Sequence, residues 1–173
     1  MGTDRGVNPV RIIGIDPGSR VTGYGIIESI ANRQRVVAYG CIRTDEGTAS
    51  QRLLQIQNEL AAVLNEHRPD EAAVEEVFVK RNVAAAIVLG QARGVAICTV
   101  ARDNLTIAEY APAQVKLAVT GNGRAEKQQV QQMVKILLKL NEIPATDAAD
   151  ALAVALCHAH HRGVAAAMAR ALA

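Results

Sequence analysis

The sequence predicts an α/β domain in which a mixed, five-stranded sheet is flanked by helices. Three observations predict it. Short apolar strands cluster at the start of the chain, segments of helical period alternate with strands after them, and the core residues are small. Of the 173 residues, 50% are hydrophobic but only 2% are aromatic, so Ala, Val, Ile and Leu must build a core in which helices approach the sheet closely. That length suits one core of single-domain size.

Arg11 to Asp16 reads as the first strand, with Val21 to Glu28 and Arg35 to Ile42 completing a meander. Thr48 and Gln51 fit a capping box, after which Leu53, Ile56, Leu60, Val63 and Leu64 recur at helical spacing until Arg68 and Pro69. Glu71 to Val77 reads as a strand. Val83 to Ala101 is an apolar helix with Gly90 and Gly94 four residues apart. Either a second backbone approaches at these glycines or the helix lies close on its own sheet. Leu105 to Tyr110 is the fifth strand. Pro112 opens a short helix through Val119, Gly121 to Gly123 form a loop, and Val130, Met133, Val134, Leu137 and Leu140 mark an amphipathic helix. Asp147 to His160 is the last helix. Residues 1–10 are expected to form a flexible arm, 11–162 the domain and 163–173 a mobile tail.

Composition narrows the function. With 19 basic and 17 acidic residues the formal charge is +2, so a polyanion site must be local rather than global. Cys41, Cys98 and Cys157 have neither even number nor CxxC spacing, and are read as buried free thiols in a reducing cytosol. The first ten residues, with Asp4 and Arg5, lack the apolar run of a signal peptide. Gln91 and Arg93 at the centre of the apolar helix argue against a membrane span, since a cation there costs about 3 kcal/mol. No membrane association is expected, and the expected location is the cytoplasm.

Acidic residues recur where elements end. Asp16 precedes the turn pair Pro17-Gly18 at a strand end. Glu75 and Glu76 fall at the end of an apolar strand, where one of them must face protein and needs a cation. Asp147 and Asp150 share one face at a helix start, where stabilising the helix dipole is the ordinary alternative. A sheet edge, a neighbouring strand and a helix start together would gather these carboxylates around a hard divalent cation, typically Mg²⁺. His67, His158, His160 and His161 form no recognised ligand set, although His158 or His160 is expected within reach of the last carboxylates.

The run Gly14-Ile15-Asp16-Pro17-Gly18-Ser19 with Thr22, Gly23 and Gly25, then Glu75 to Phe78, Leu89 to Gly94, Tyr110, Val115, Lys116 and Gly121, and finally Asp147, Asp150, Ala151 and Leu152, resembles the bacterial RuvC crossover junction endodeoxyribonucleases, the Holliday junction resolvases. The match runs in order from Ile13 to Leu156. The resemblance implies a ribonuclease H-like fold and a homodimeric endonuclease. It implies Mg²⁺ at two ions per site, with Mn²⁺ substituting, and symmetric nicking of two opposed strands of a four-way DNA junction. It also implies cooperation with the RuvA and RuvB branch-migration proteins. By position it assigns Asp16, Glu75, Asp147 and Asp150 as catalytic metal ligands, choosing Glu75 over Glu76. Lys116 and Lys127 then lie near the scissile phosphate, and Phe78 stacks on a junction base. Val79 stands where some members carry a second aromatic residue.

Lys80, Arg81, Lys116, Arg124 and Lys127, with Lys135 and Lys139, would supply a local basic track beside Phe78. Phe78 alone reads equally as a core residue, and Lys80 and Arg81 favour its exposure. Gly14, Asp16, Gly18 and Gly23 also resemble the first phosphate loop of the actin-like ATPases, but the second Asp-Gly-Gly loop is missing. A module that binds junctions without cutting them has no use for four clustered carboxylates. The expected chemistry is in-line phosphodiester hydrolysis, with one Mg²⁺ activating water and another stabilising the leaving 3′-oxygen.

Overall fold

A computed structural model describes residues 8–30, 33–77 and 82–172. In chain order the elements are β1 (Val10–Asp16), β2 (Val21–Ile30), β3 (Arg33–Arg43), α1 (Ala49–His67), β4 (Glu71–Glu75), α2 (Val83–Arg102), β5 (Thr106–Tyr110), α3 (Pro112–Thr120), α4 (Lys127–Leu137) and α5 (Thr146–Ala171). The five strands form one sheet in the order β3-β2-β1-β4-β5, antiparallel across the meander and parallel from β1 through β4 to β5. This is the mixed sheet that the sequence predicts.

Each face of the sheet carries its own core. Ile13, Ile15, Ala72 and Val74 meet Ile56, Leu60 and Leu64 of α1 and Ala92, Ala96 and Val100 of α2. The residues between them, Ile12 and Ala73, join Ile27 under α3, α4 and α5. Period-two alternation along β1 and β4 therefore decides which side chains look toward α5.

Local chemistry ends the helices where the sequence indicates. Thr48 and Gln51 form the capping box of α1, and Arg68 closes it in the left-handed region (φ 45°). Pro112 opens α3, and Gly121 ends it at φ 75°, where a side chain would be strained. The last helix departs from expectation. It continues to Ala171 instead of stopping at His160, because residues after Arg162 are mostly Ala, the best helix former, and Gly163 alone does not break it. Residues 163–171 thus continue the helix. Of the expected arm, residues 1–7 lie outside the described residues, and β1 begins at Val10.

One further expectation is corrected, and one open alternative is decided. Only Cys157 is buried; Cys98 is exposed on α2 and Cys41 is half-buried on β3. Helix α2 is long and apolar enough to cross a membrane by composition, yet it packs Ala92, Ala96, Thr99 and Val100 inward. Its first turns are open, with Val83 at 76% and Ile87 at 58% exposure. A Cβ placed on Gly90 or Gly94 would meet nothing within 4 Å, so these glycines do not serve packing against the sheet.

The glycines of β1 and β2 do serve packing. A Cβ on Gly14 would lie 2.1 Å from the Ala151 carbonyl oxygen, one on Gly23 would lie 1.9 Å from that of Asp147, and one on Gly25 would meet Leu152 at 2.7 Å. Gly14 pairs with Gly25, and Asp16 with Gly23. The backbone of α5 thus rests directly on the sheet. Gly14→Ala should displace the helix and cost about 3 kcal/mol or more in a denaturant titration; a variant within about 0.5 kcal/mol of the parent would show that the contact yields easily.

Candidate active site

Strand parity brings two of the acidic residues toward one place. Asp16 follows Gly14 by two on β1, and Glu75 follows Ala73 by two on β4, so both carboxylates end adjacent parallel strands on the α5 face. Glu76 has the opposite parity, and its N–H donates to the Tyr110 carbonyl at 2.9 Å. Geometry thereby separates two residues that spacing alone left equivalent. Across Gly23, α5 starts with Asp147 and Asp150 above the same strand ends.

The turn after Asp16 is fixed by buried Thr22, whose Oγ1 donates to the Gly18 carbonyl at 2.8 Å and accepts from the Gly18 N–H at 3.3 Å. Gly18 is required there, since a Cβ would sit 2.1 Å from the Val21 carbonyl oxygen.

The electrostatics show that the four groups act as a cluster. Burial first, then Asp150, Glu75 and Asp147, push the Asp16 carboxyl up to about 7 against the opposing pull of Lys127. Burial and Asp150 likewise push Glu75 up to about 7, opposed by Lys127 and Lys116. Asp150 is raised by burial, partly offset by Lys127. Lys127, the first residue of α4, has its Nζ 3.6 Å from Asp150 Oδ2. Among the described residues it is the one cation in ion-pair contact with any of the four carboxylates. Because Lys127 is largely exposed, that pair stabilises the cluster little.

The donor set is all oxygen, carries excess negative charge and is partly desolvated, which fits a hard divalent cation such as Mg²⁺. Among the described residues no three His, Cys, Asp or Glu side chains form a closed ligand group. A cation would therefore have to draw the carboxylates together against their repulsion.

Lys116 of α3 is half-buried and near enough to lower Glu75 and Asp150. Arg124 is exposed in the loop before α4, held by a hydrogen bond from its N–H to Asn122 Oδ1 rather than by the acid cluster. Phe78, Lys80 and Arg81 lie outside the described residues. The flanking Asn82 lines, with Gly18, Ser19, Arg20 and Asp147, an open cleft of about 650 Å³ beside the cluster.

His158 is not beside the last carboxylates. It lies further along α5 and bonds Glu71, at the opposite end of β4 from Glu75. One supporting residue escaped the sequence reading: Arg93 donates from Nε to the Glu75 carbonyl at 3.3 Å and pairs with Glu109, fixing the strand end that carries Glu75. Its signal was a lone cation within an apolar helix, which must find partners. Cys41 stands beside the cluster, where burial and Asp147 push its thiol up and so disfavour the thiolate.

A mixed sheet whose strand ends and covering helix deliver four carboxylates to one open edge defines a phosphodiesterase of the acid-cluster, ribonuclease H-like class. The family model described as crossover junction endodeoxyribonuclease RuvC matches residues 12–158. The protein named crossover junction endodeoxyribonuclease RuvC from Alkalilimnicola ehrlichii is 50% identical over 161 residues, covering 93% of this chain and 98% of that protein. The protein of the same name from Bradyrhizobium diazoefficiens is 55% identical over 155 residues, 89% of either chain. Thermus thermophilus RuvC in complex with a Holliday junction substrate superposes with a TM-score of 0.84 at 33% identity, covering 90% of this chain and 96% of that one. The chain belongs to the RuvC family of crossover junction endodeoxyribonucleases, and it is an endonuclease.

The raised carboxyls predict a pH dependence of stability. Between the ordinary Asp pKa of 3.8 and about 7 the folded protein binds the Asp16 proton more tightly than the unfolded chain does. Stability without metal therefore falls as pH rises through that window. At pH 8 Asp16→Asn should stabilise the metal-free protein by roughly 1–3 kcal/mol in urea titrations, with little gain at pH 4. Equal gains at both pH values would contradict the electrostatic origin.

Proposed function

We propose that this chain resolves four-way DNA junctions by Mg²⁺-dependent nicking of two opposed strands, leaving 5′-phosphate and 3′-hydroxyl ends. The observation that carries the proposal is the convergence of Asp16, Glu75, Asp147 and Asp150, with Lys127 and Lys116, on one open sheet edge beside a cleft. The four carboxylates would hold the cation, for which Mn²⁺ would substitute, and two ions per site are what the family resemblance implies. When bound, Mg²⁺ supplies Lewis acidity at the phosphodiester.

The chain's own groups do the rest. Lys127 and Lys116 offset phosphate charge beside the carboxylates, and the Glu75 strand end is fixed by Arg93. Exposed Arg20 at the cleft and Arg124 beyond it extend the positive rim. By resemblance Phe78 stacks on a junction base, with Lys80 and Arg81 close to it in the chain.

A junction with approximate two-fold symmetry is cut symmetrically by a two-fold dimer. The open apolar turns of α2, with Val83, Ile87 and the unobstructed Gly90 and Gly94, supply a face for a second copy. The family resemblance supports cooperation with RuvA and RuvB, and a place in the cytoplasm away from membranes.

Asp16→Asn should abolish cleavage of a synthetic four-way junction while retaining or tightening binding, because one anion is removed beside the phosphate. Binding is read by gel shift in EDTA and cleavage on a denaturing gel in Mg²⁺. A variant that still cuts would sink the assignment of Asp16. For the dimer, Ile87→Asp should convert the protein to a monomer in light scattering, and an undiminished dimer would place the contact elsewhere.

A further inference from the structure

A second polar centre lies under α5, away from the acid cluster. His158 is buried, with its Nε2 2.8 Å from Glu71 Oε2 and its Nδ1 2.8 Å from the Tyr110 hydroxyl. In the neutral ring Nε2–H donates to the carboxylate and Nδ1 accepts from the phenol, so both nitrogens are satisfied. Arg162 Nε donates to Glu71 Oε1 at 2.8 Å, and the His161 ring stacks on Tyr110 with centroids 5.1 Å apart. Burial pushes the Glu71 carboxyl up, but the His158 and Arg162 hydrogen bonds outweigh it and leave the group below its usual range. The network joins β4, β5 and α5.

Its placement relative to the acid cluster is regular. Glu71 and Glu75 open and close β4 with the same parity. Asp150 and His158 are eight residues apart on α5, about 2.2 turns, so the two side chains leave the helix about 80° apart. Four strand residues span about 13 Å, and eight helical residues span about 12 Å. Strand and helix thus meet at two polar points whose spacings match. At one, Glu75 faces Asp150 and the two repel; at the other, Glu71 and His158 attract.

Between those points β1 and β4 offer α5 only small residues, Gly14 and Ala73, while the larger apolar contacts lie with Ile12, Ile27 and Leu152. Gly14 lies against Ala151 and Ala155, and such small surfaces oppose sliding less than interlocked large side chains do. Directional hydrogen bonds at His158 fix what small contacts leave loose.

We propose that His158, bridging Glu71 and Tyr110, is a positioning residue for the acid cluster: it holds α5 in register on β4, so that Asp147 and Asp150 stay beside Asp16 and Glu75 against their mutual repulsion. The proposal rests on the cation-binding reading of the cluster given above. It predicts that the clamp sets how readily the site takes up metal, because a register already held need not be restored by the ion.

The test is Mn²⁺ binding to the DNA-free protein by calorimetry, paired with junction cleavage as a function of Mg²⁺ concentration. His158→Ala should weaken Mn²⁺ binding roughly tenfold and raise the half-saturating Mg²⁺ by a similar factor, with the rate at saturating Mg²⁺ within about twofold of the parent. Tyr110→Phe removes one oxygen and should fold in any case, with a shift of about threefold. Glu71→Gln keeps an acceptor for Nε2–H and should stay closer to the parent than His158→Ala does. Tyr110→Phe and His158→Ala proteins that bind Mn²⁺ like the parent, whatever their melting temperatures, overturn the proposal and leave the network as ordinary packing. A parent protein that itself binds no Mn²⁺ overturns the cation reading instead, and this proposal with it.

Discussion

The structure depends on the direct seating of α5 on the glycines of β1 and β2. Gly14, Gly23 and Gly25 leave no room for a Cβ beneath the helix backbone, so α5 approaches the sheet more closely than side-chain packing would permit. That closeness brings a helix start over two strand ends. Were the helix lifted by the thickness of one methyl layer, Asp147 and Asp150 would move away from Asp16 and Glu75, and the cluster would lose its mutual electrostatic field.

The same closeness creates the site's tension. Four carboxylates at one edge, two of them pushed up to about 7, oppose the contact that brings them together. Attractive interactions elsewhere offset that opposition: the apolar layer of Ile12, Ile27, Ala73 and Leu152, the Arg93 bond to the Glu75 carbonyl and the His158 network midway along the helix. The fold thus holds a charge arrangement unfavourable by itself and suited to a cation, an expected compromise between stability and function.

Much of this was legible in the chain. Short apolar runs gave the meander, and Thr48, Pro112 and Gly121 marked helix ends whose local chemistry the structure reproduces. The acidic residues were visible because each sits where an element stops. What spacing could not decide was parity: Glu75 and Glu76 become distinct only once β4 is paired with β1 and its α5 face is fixed. The partners of His158 were equally hidden, since Glu71 and Tyr110 lie 87 and 48 residues away and meet it only through the sheet. The length of α5 was misjudged for a local reason, because alanine propensity carries a helix past a single glycine.

On the function proposed above, the carboxylate edge cuts DNA at a junction when a divalent cation is present. The most direct test mixes the protein with an end-labelled synthetic four-way junction and with a linear duplex of the same sequence, in Mg²⁺ and in EDTA, and maps the nicks on a denaturing gel. The account predicts paired nicks in two opposed strands of the junction alone, and only with Mg²⁺. Cutting in EDTA, or equal cutting of the linear duplex, would contradict it.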